Sequence, residues 1–162
     1  MGFEQGLIQL YIGDGDRVTA AALGQALRAA GQGFTVYIAR FLNSEAGKGA
    51  LRTAVQHPNV TVRQFARRPL VHQNEPGPTD MGTAREALDK AVREATSGSY
   101  DLVILDHVDL ALARSLIELE DLLQLLRDKP QGVELILTIP RAHPDLIDLA
   151  DLVTEMRTVK QP

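Results

Sequence analysis

LIQLYIGDGDRVTAAALGQALRAAG, Leu7–Gly31, is the stretch that decides how this chain folds. Leu7–Ile12 is an apolar, β-rich run suited to a buried central strand. Gly13 and Gly15 follow, and glycine reaches backbone angles closed to other residues. Thr19–Ala30 then reads as a helix. Ala20, Ala21, Ala22 and Ala26 give it propensity, Leu23 and Leu27 lie on one face, and Gly31 and Gly33 end it. A strand, a glycine turn and a helix in this order form the frame of a phosphate-binding loop, in which backbone N–H groups and the positive helix end face an anion. The frame is present with altered chemistry. A working loop of this kind carries Gly-Lys-Thr/Ser ahead of the helix. Here the triplet is Arg17-Val18-Thr19, with neither the glycine nor the phosphate-gripping lysine.

Outward from this unit, strands and helices keep alternating. Phe34–Ala39 is a second strand, about twenty residues after the first ends, the spacing of a βαβ crossover. Glu45–Gln56 reads as a helix and Val60–Phe65 as a third strand. Ala66–Thr79 holds three prolines and no periodicity, so it is a loop long enough to be functional. Asp80–Ser97 is helical, with Ala84, Leu88, Ala91 and Ala95 as its buried stripe, Glu86 and Lys90 as an i,i+4 pair, and Thr79 or Asp80 as its cap. Leu102–Leu105 is the most apolar strand and ends at Asp106. Leu116–Leu126 is a leucine-rich helix closed by Lys129-Pro130. Val133–Thr138 is a strand, Pro144–Ala150 a short helix and Leu152–Val159 a last strand. The pattern predicts an α/β three-layer sandwich, with a mainly parallel central sheet covered by helices on both faces. No repeat or linker divides it, so residues 1–162 are expected to form one domain.

Bulk properties narrow the function classes. A chain of 162 residues that is 44% hydrophobic is long enough for one sizeable core. A net charge of −4 argues against nucleic acid as the main partner. The absence of cysteine excludes disulfides, thiolate metal sites and cysteine nucleophiles. MGFEQ lacks a signal-peptide core, and no apolar run approaches the ~20 residues of a membrane helix. The expectation is a soluble, cytoplasmic protein with no membrane partner.

Four segments carry a family likeness. They are Gly6–Gly33, Phe41–Asn43 after the second strand, SYDLVILDHVDLAL at Ser99–Leu112, and Glu134–Pro162. The pattern P-x-L-I-x-L-A-D-L-V-T-E-M at Pro144–Met156 is the most specific of them. Together they make the chain resemble the P-loop type of ATP:corrinoid adenosyltransferases, which place a 5′-deoxyadenosyl group from ATP on the cobalt of a reduced corrinoid. The resemblance implies a P-loop, RecA-like fold, a homodimer, Mg-ATP and a corrinoid substrate.

Each motif departs from the family in its own way. The glycine loop resembles G-x-G-K-G-K-T-T and reads Gly13-Asp14-Gly15-Asp16-Arg17-Val18-Thr19-Ala20, so Gly13, Gly15 and Thr19 match. Asp16 and Val18 stand where the resemblance places lysines, and Arg17 replaces a glycine. Two readings stay open here: a remodelled nucleotide or anion site, or a tight turn kept for packing. The family ends its fourth strand in Asp-Glu, and here it is Asp106-His107. Asp106 is the candidate catalytic acid and magnesium ligand, or else a strand-end residue hydrogen-bonded to the loop helix. The family's aromatic Gly-Phe-x-Trp wall against the corrinoid is replaced by a segment with Arg67, Arg68 and His72, which are candidates for a corrinoid or another anion. Arg141 follows Leu137-Thr138-Ile139-Pro140, one place away from the family's L-T-G-R arginine. The family's tail past the VTEM region, which helps close the site, is expected to be missing after Pro162. The sequence thus predicts a family member with impaired or lost adenosyl transfer. The alternative is a non-catalytic homologue that binds a nucleotide, an anion, a corrinoid or a partner protein.

Overall fold

The computed structural model describes residues 3–41, 48–65, 78–113, 115 and 117–161. Its strands are β1 (Ile8–Ile12), β2 (Val36–Arg40), β3 (Val60–Gln64), β4 (Leu102–Asp106), β5 (Glu134–Ile139) and β6 (Leu152–Glu155). They form one six-stranded sheet in the order β3-β2-β4-β5-β1-β6. Every pairing in it is parallel. The helices are α1 (Asp16–Gly31), α2 (Lys48–Ala54), α3 (Pro78–Thr96), α4 (Asp109–Ala113), α5 (Leu119–Asp128) and α6 (Pro144–Leu149).

The sheet is apolar on both sides, as a parallel sheet roofed twice must be. β2, β4 and β5 are buried along their whole length. Alternate residues feed two cores. Val36, Ile38, Leu102, Ile104 and Ile136 pack with Val18, Ala22 and Ala26 of α1 and with Leu51 and Ala54 of α2. Tyr37, Val103, Leu105, Leu135 and Leu137 pack with Leu88 and Ala91 of α3 and with the leucines of α5. The observed architecture is the expected α/β three-layer sandwich.

Several element boundaries differ from the sequence reading. α1 begins at Asp16, a turn earlier than expected, and Leu27 is 40% exposed. The face that α1 buries is made of Val18, Thr19, Ala22, Leu23, Ala26, Ala29 and Ala30, so Leu23 is buried as expected and mostly small side chains seat the helix on the sheet. α3 begins at Pro78, which puts Thr79 and Asp80 inside its first turn rather than at its cap. Among the described residues, the i,i+4 ion pair along α3 is Arg85 with Asp89 at 3.2 Å rather than Glu86 with Lys90. α4 was not anticipated, and α5 starts at Leu119 behind a capping box of Glu118 and Asp121. β6 stops at Glu155 because its one partner, β1, ends at Ile12 in register with that residue. The start of the helix expected over Glu45–Gln56, and the loop over 66–77, lie outside the described residues.

Gly13 closes β1 under tight constraint. A Cβ there would lie 2.7 Å from the Met156 carbonyl oxygen, because Met156 N–H bonds back to Ile12 O at 2.7 Å. Gly24, in the middle of α1, has no such neighbour within 4 Å. Gly13→Ala is therefore expected to destabilise the protein by about 1–3 kcal/mol. Gly24→Ala is expected to stabilise it by about 0.4–1 kcal/mol. Urea unfolding midpoints of the two variants against the parent check both signs.

Candidate functional site

Three strands end at one level on the face that α1 covers. The register pairs Arg40 with Asp106 and Asp106 with Thr138. Because side chains alternate along a strand, all three follow Ile38, Ile104 and Ile136 onto the α1 face. Asp106 Oδ2 accepts a hydrogen bond from Arg40 Nε at 3.1 Å. Its Oδ1 accepts from the hydroxyls of Thr19, at 2.7 Å, and Thr138, at 2.8 Å. Arg40 is 0% exposed and Asp106 2%. A buried charge needs a partner and hydrogen bonds to offset the loss of water, and Asp106 has both.

His107 continues this arrangement. It follows β4 with a φ of 58°, in the left-handed region that a side chain rarely adopts. That turn aims the His107 N–H at Thr138 Oγ1, 2.9 Å away. The Thr138 hydroxyl is thus used twice, accepting from His107 and donating to Asp106. Four elements, β2, β4, β5 and α1, meet at one carboxylate.

The glycine turn sits beside this knot. Gly15, with a φ of 70°, is the N-cap of α1 and gives it no side-chain cap. Asp16 opens the helix, Asp14 and Arg17 are exposed, and Val18 is fully buried in the core under α1. The position that a phosphate-gripping lysine would fill is a core residue here. Thr19 has turned its hydroxyl to Asp106. Gly13 N–H bonds to Ile139 O at 3.1 Å and anchors the turn to the end of β5.

On the opposite face of the sheet, a cleft of about 820 Å³ opens beyond the end of β5. Leu112, Ile117, Ile139 and Leu146 are among its apolar walls, and Asp14, Asp109, Arg141 and His143 supply polar groups. Its size and lining are those of a small-molecule site. Asp14 belongs to both the turn and the cleft, so the two are continuous. Asp109 Oδ1 is buried without a hydrogen-bond partner among the described residues, and His107 Nδ1 lies 3.9 Å from it, too far for a hydrogen bond. Burial pushes the Asp109 carboxyl above its ordinary range, and His107 pulls against that shift.

The structure thus brings Thr19 together with Asp106, and Asp14 together with Arg141. Arg67, Arg68 and His72 lie outside the described residues. The sequence reading missed Arg40. The available signal was a charged residue closing the apolar run VYIA at the level where Asp106 closes LVIL.

A parallel sheet with a glycine turn between its first strand and a covering helix defines a P-loop, RecA-like α/β protein. A KaiC-like protein of Pyrococcus horikoshii OT3 shares this fold at a TM-score of 0.63 and 16% identity, over 98% of this chain and 76% of that one. The family model described as ATP:corrinoid adenosyltransferase BtuR/CobO/CobP matches residues 4–162, and the chain belongs to that family. The corrinoid adenosyltransferase of Escherichia coli K12 is 30% identical over 157 residues, covering 97% of this chain and 79% of that protein. The corrinoid adenosyltransferase CobA of Salmonella typhimurium LT2 is 27% identical over the same shares.

A raised carboxyl pKa in the folded state means that folded protein holds the Asp109 proton to higher pH than unfolded protein does. Stability therefore falls as pH rises from the ordinary carboxylate value, near 3.8, through the raised one. Asp109→Asn removes this dependence. Across pH 3 to 7, its urea midpoint is expected to rise relative to the parent's as pH rises and then to hold a constant difference from it.

Proposed function

We propose that this chain is a ligand-binding member of the corrinoid adenosyltransferase family that no longer transfers the adenosyl group. The observation that carries this reading is Val18, fully buried in the core at the point where the family likeness calls for a lysine on the phosphates. Adenosyl transfer from ATP expels a triphosphate, and the protein's share of that chemistry is positioning and charge neutralisation. A unit charge at ~4 Å is worth about 4 kcal/mol at an effective dielectric of ~20. Losing two lysines and gaining Asp16 removes more than the N-terminal end of α1 restores, which is ~1–2 kcal/mol at most.

What remains suits binding. The cleft beside Arg141, His143 and Asp109 offers apolar walls and a few polar groups to a small molecule. The family likeness favours a corrinoid or a small anion as ligand, with Arg67, Arg68, His72 and Arg141 as anion partners. In this reading ATP and magnesium are no longer used. The protein works as one domain, as a homodimer in the cytoplasm. Among the described residues no helix is long and apolar enough to cross a membrane.

Mixing the protein with Mg-ATP and a chemically reduced corrinoid tests the proposal. The visible spectrum is expected to show no conversion to the adenosylated corrinoid, and ATP alone is expected to leave the melting temperature unchanged while a corrinoid raises it. Catalytic conversion would overturn the reading. Asp16→Lys, Arg17→Gly and Val18→Lys combined are expected to restore an ATP-dependent thermal shift.

A further inference from the structure

Magnesium is the ion that the family's ATP chemistry implies, and Asp106 is the strand-end carboxylate that would hold it. The donor set around Asp106 does not fit. Mg²⁺ needs a near-octahedral shell of oxygens at ~2.0–2.1 Å, several of them water. Both Asp106 oxygens already accept hydrogen bonds, Oδ1 from Thr19 and Thr138 and Oδ2 from Arg40. The side chains of Arg40 and Asp106 are 1% and 2% exposed, which leaves no solvent shell to lend the ion its waters. In a working phosphate loop the serine or threonine hydroxyl turns to magnesium, whereas Thr19 spends its proton on Asp106. No group of three His, Asp or Glu side chains suited to a metal occurs among the described residues.

We propose that Arg40 is a built-in cation which takes the place of the divalent metal. Its guanidinium neutralises Asp106 from within the protein and repels a second cation. The strand-end site therefore excludes Mg²⁺, and an anion bound over the Gly13–Thr19 turn is bound without metal. Arg40 suits the part because its charge is permanent, its donors are fixed in a plane and it is less strongly hydrated than an ammonium group. Buried positive charge on one side and hydroxyl donors on the other occupy three of the roughly four lone-pair sites of the carboxylate, both of those on Oδ1 among them. Exclusion of the metal is a property of the carboxylate and its donors, so it is tested without nucleotide or corrinoid.

The experiment titrates Mn²⁺, a paramagnetic stand-in for Mg²⁺, into the ¹⁵N-labelled full chain and follows amide line broadening. It is repeated in Asp14→Asn/Asp16→Asn, which removes the solvent-facing carboxylates of the turn and leaves the quartet of Arg40, Asp106, Thr19 and Thr138 intact. In that variant the amides of Asp106, His107 and Thr138 are expected to broaden no more than those of the far end of the sheet. Selective broadening there overturns the proposal. Arg40→Gln, introduced into the same background, is expected to bind Mn²⁺ at least tenfold more tightly, and to lose that gain when Asp106→Asn is added. A folded Arg40→Gln protein that gains no Mn²⁺ affinity also overturns it. If Arg40→Gln does not fold, the titration of the Arg40-containing protein decides alone.

Discussion

A single buried carboxylate holds the carboxyl end of this sheet together. Asp106 receives one guanidinium and two hydroxyls, from β2, α1 and β5, while it sits at the end of β4. In a parallel sheet the carboxyl ends of the strands are where chain reversals crowd and backbone groups run out of ladder partners. Here that end is closed by side chains. Removing one member of a buried ion pair leaves the other charged and desolvated without its counter-charge, which costs ~3–5 kcal/mol. That is a large share of the ~5–15 kcal/mol by which a domain of this size is stable.

The same arrangement ties the glycine turn to the sheet. Thr19 ties the first turn of α1 to the sheet, Val18 fills the core beneath it, and Gly13 lets Met156 approach. Each of these contacts belongs to packing. Polar side chains face solvent from Asp14 and Arg17 on the turn and from Arg141 and His143 on the cleft.

Most of the architecture was legible in the sequence because strongly apolar five-residue strands alternating with alanine- and leucine-rich helices admit few other solutions. LVIL before Asp106 and VYIA before Arg40 are buried strands in any α/β sheet. Leu23 is buried as the periodicity implied, whereas Leu27 was misjudged because periodicity identifies a face without fixing where its edge falls. The short α4 was missed since five residues carry no period. At the site, the turn was readable from the order of strand, glycines and helix and Asp106 from the family likeness, and hydrogen bonding of Asp106 to the loop helix was one of two readings left open. Arg40 was not found, because its partner is 66 residues away and only strand order brings them side by side. Nor does any local pattern reveal that His107 turns into the left-handed region to reach Thr138.

The central claim is that Arg40 and Asp106 act as one structural unit, and a double-mutant cycle tests it most directly. Arg40→Met, Asp106→Leu and the two combined would be unfolded in urea under one set of conditions. Each single change is expected to cost about 3–5 kcal/mol. The combined change should cost less than their sum by about 2 kcal/mol or more, since it removes both charges at once. Single losses below about 1 kcal/mol that add without coupling would contradict the account.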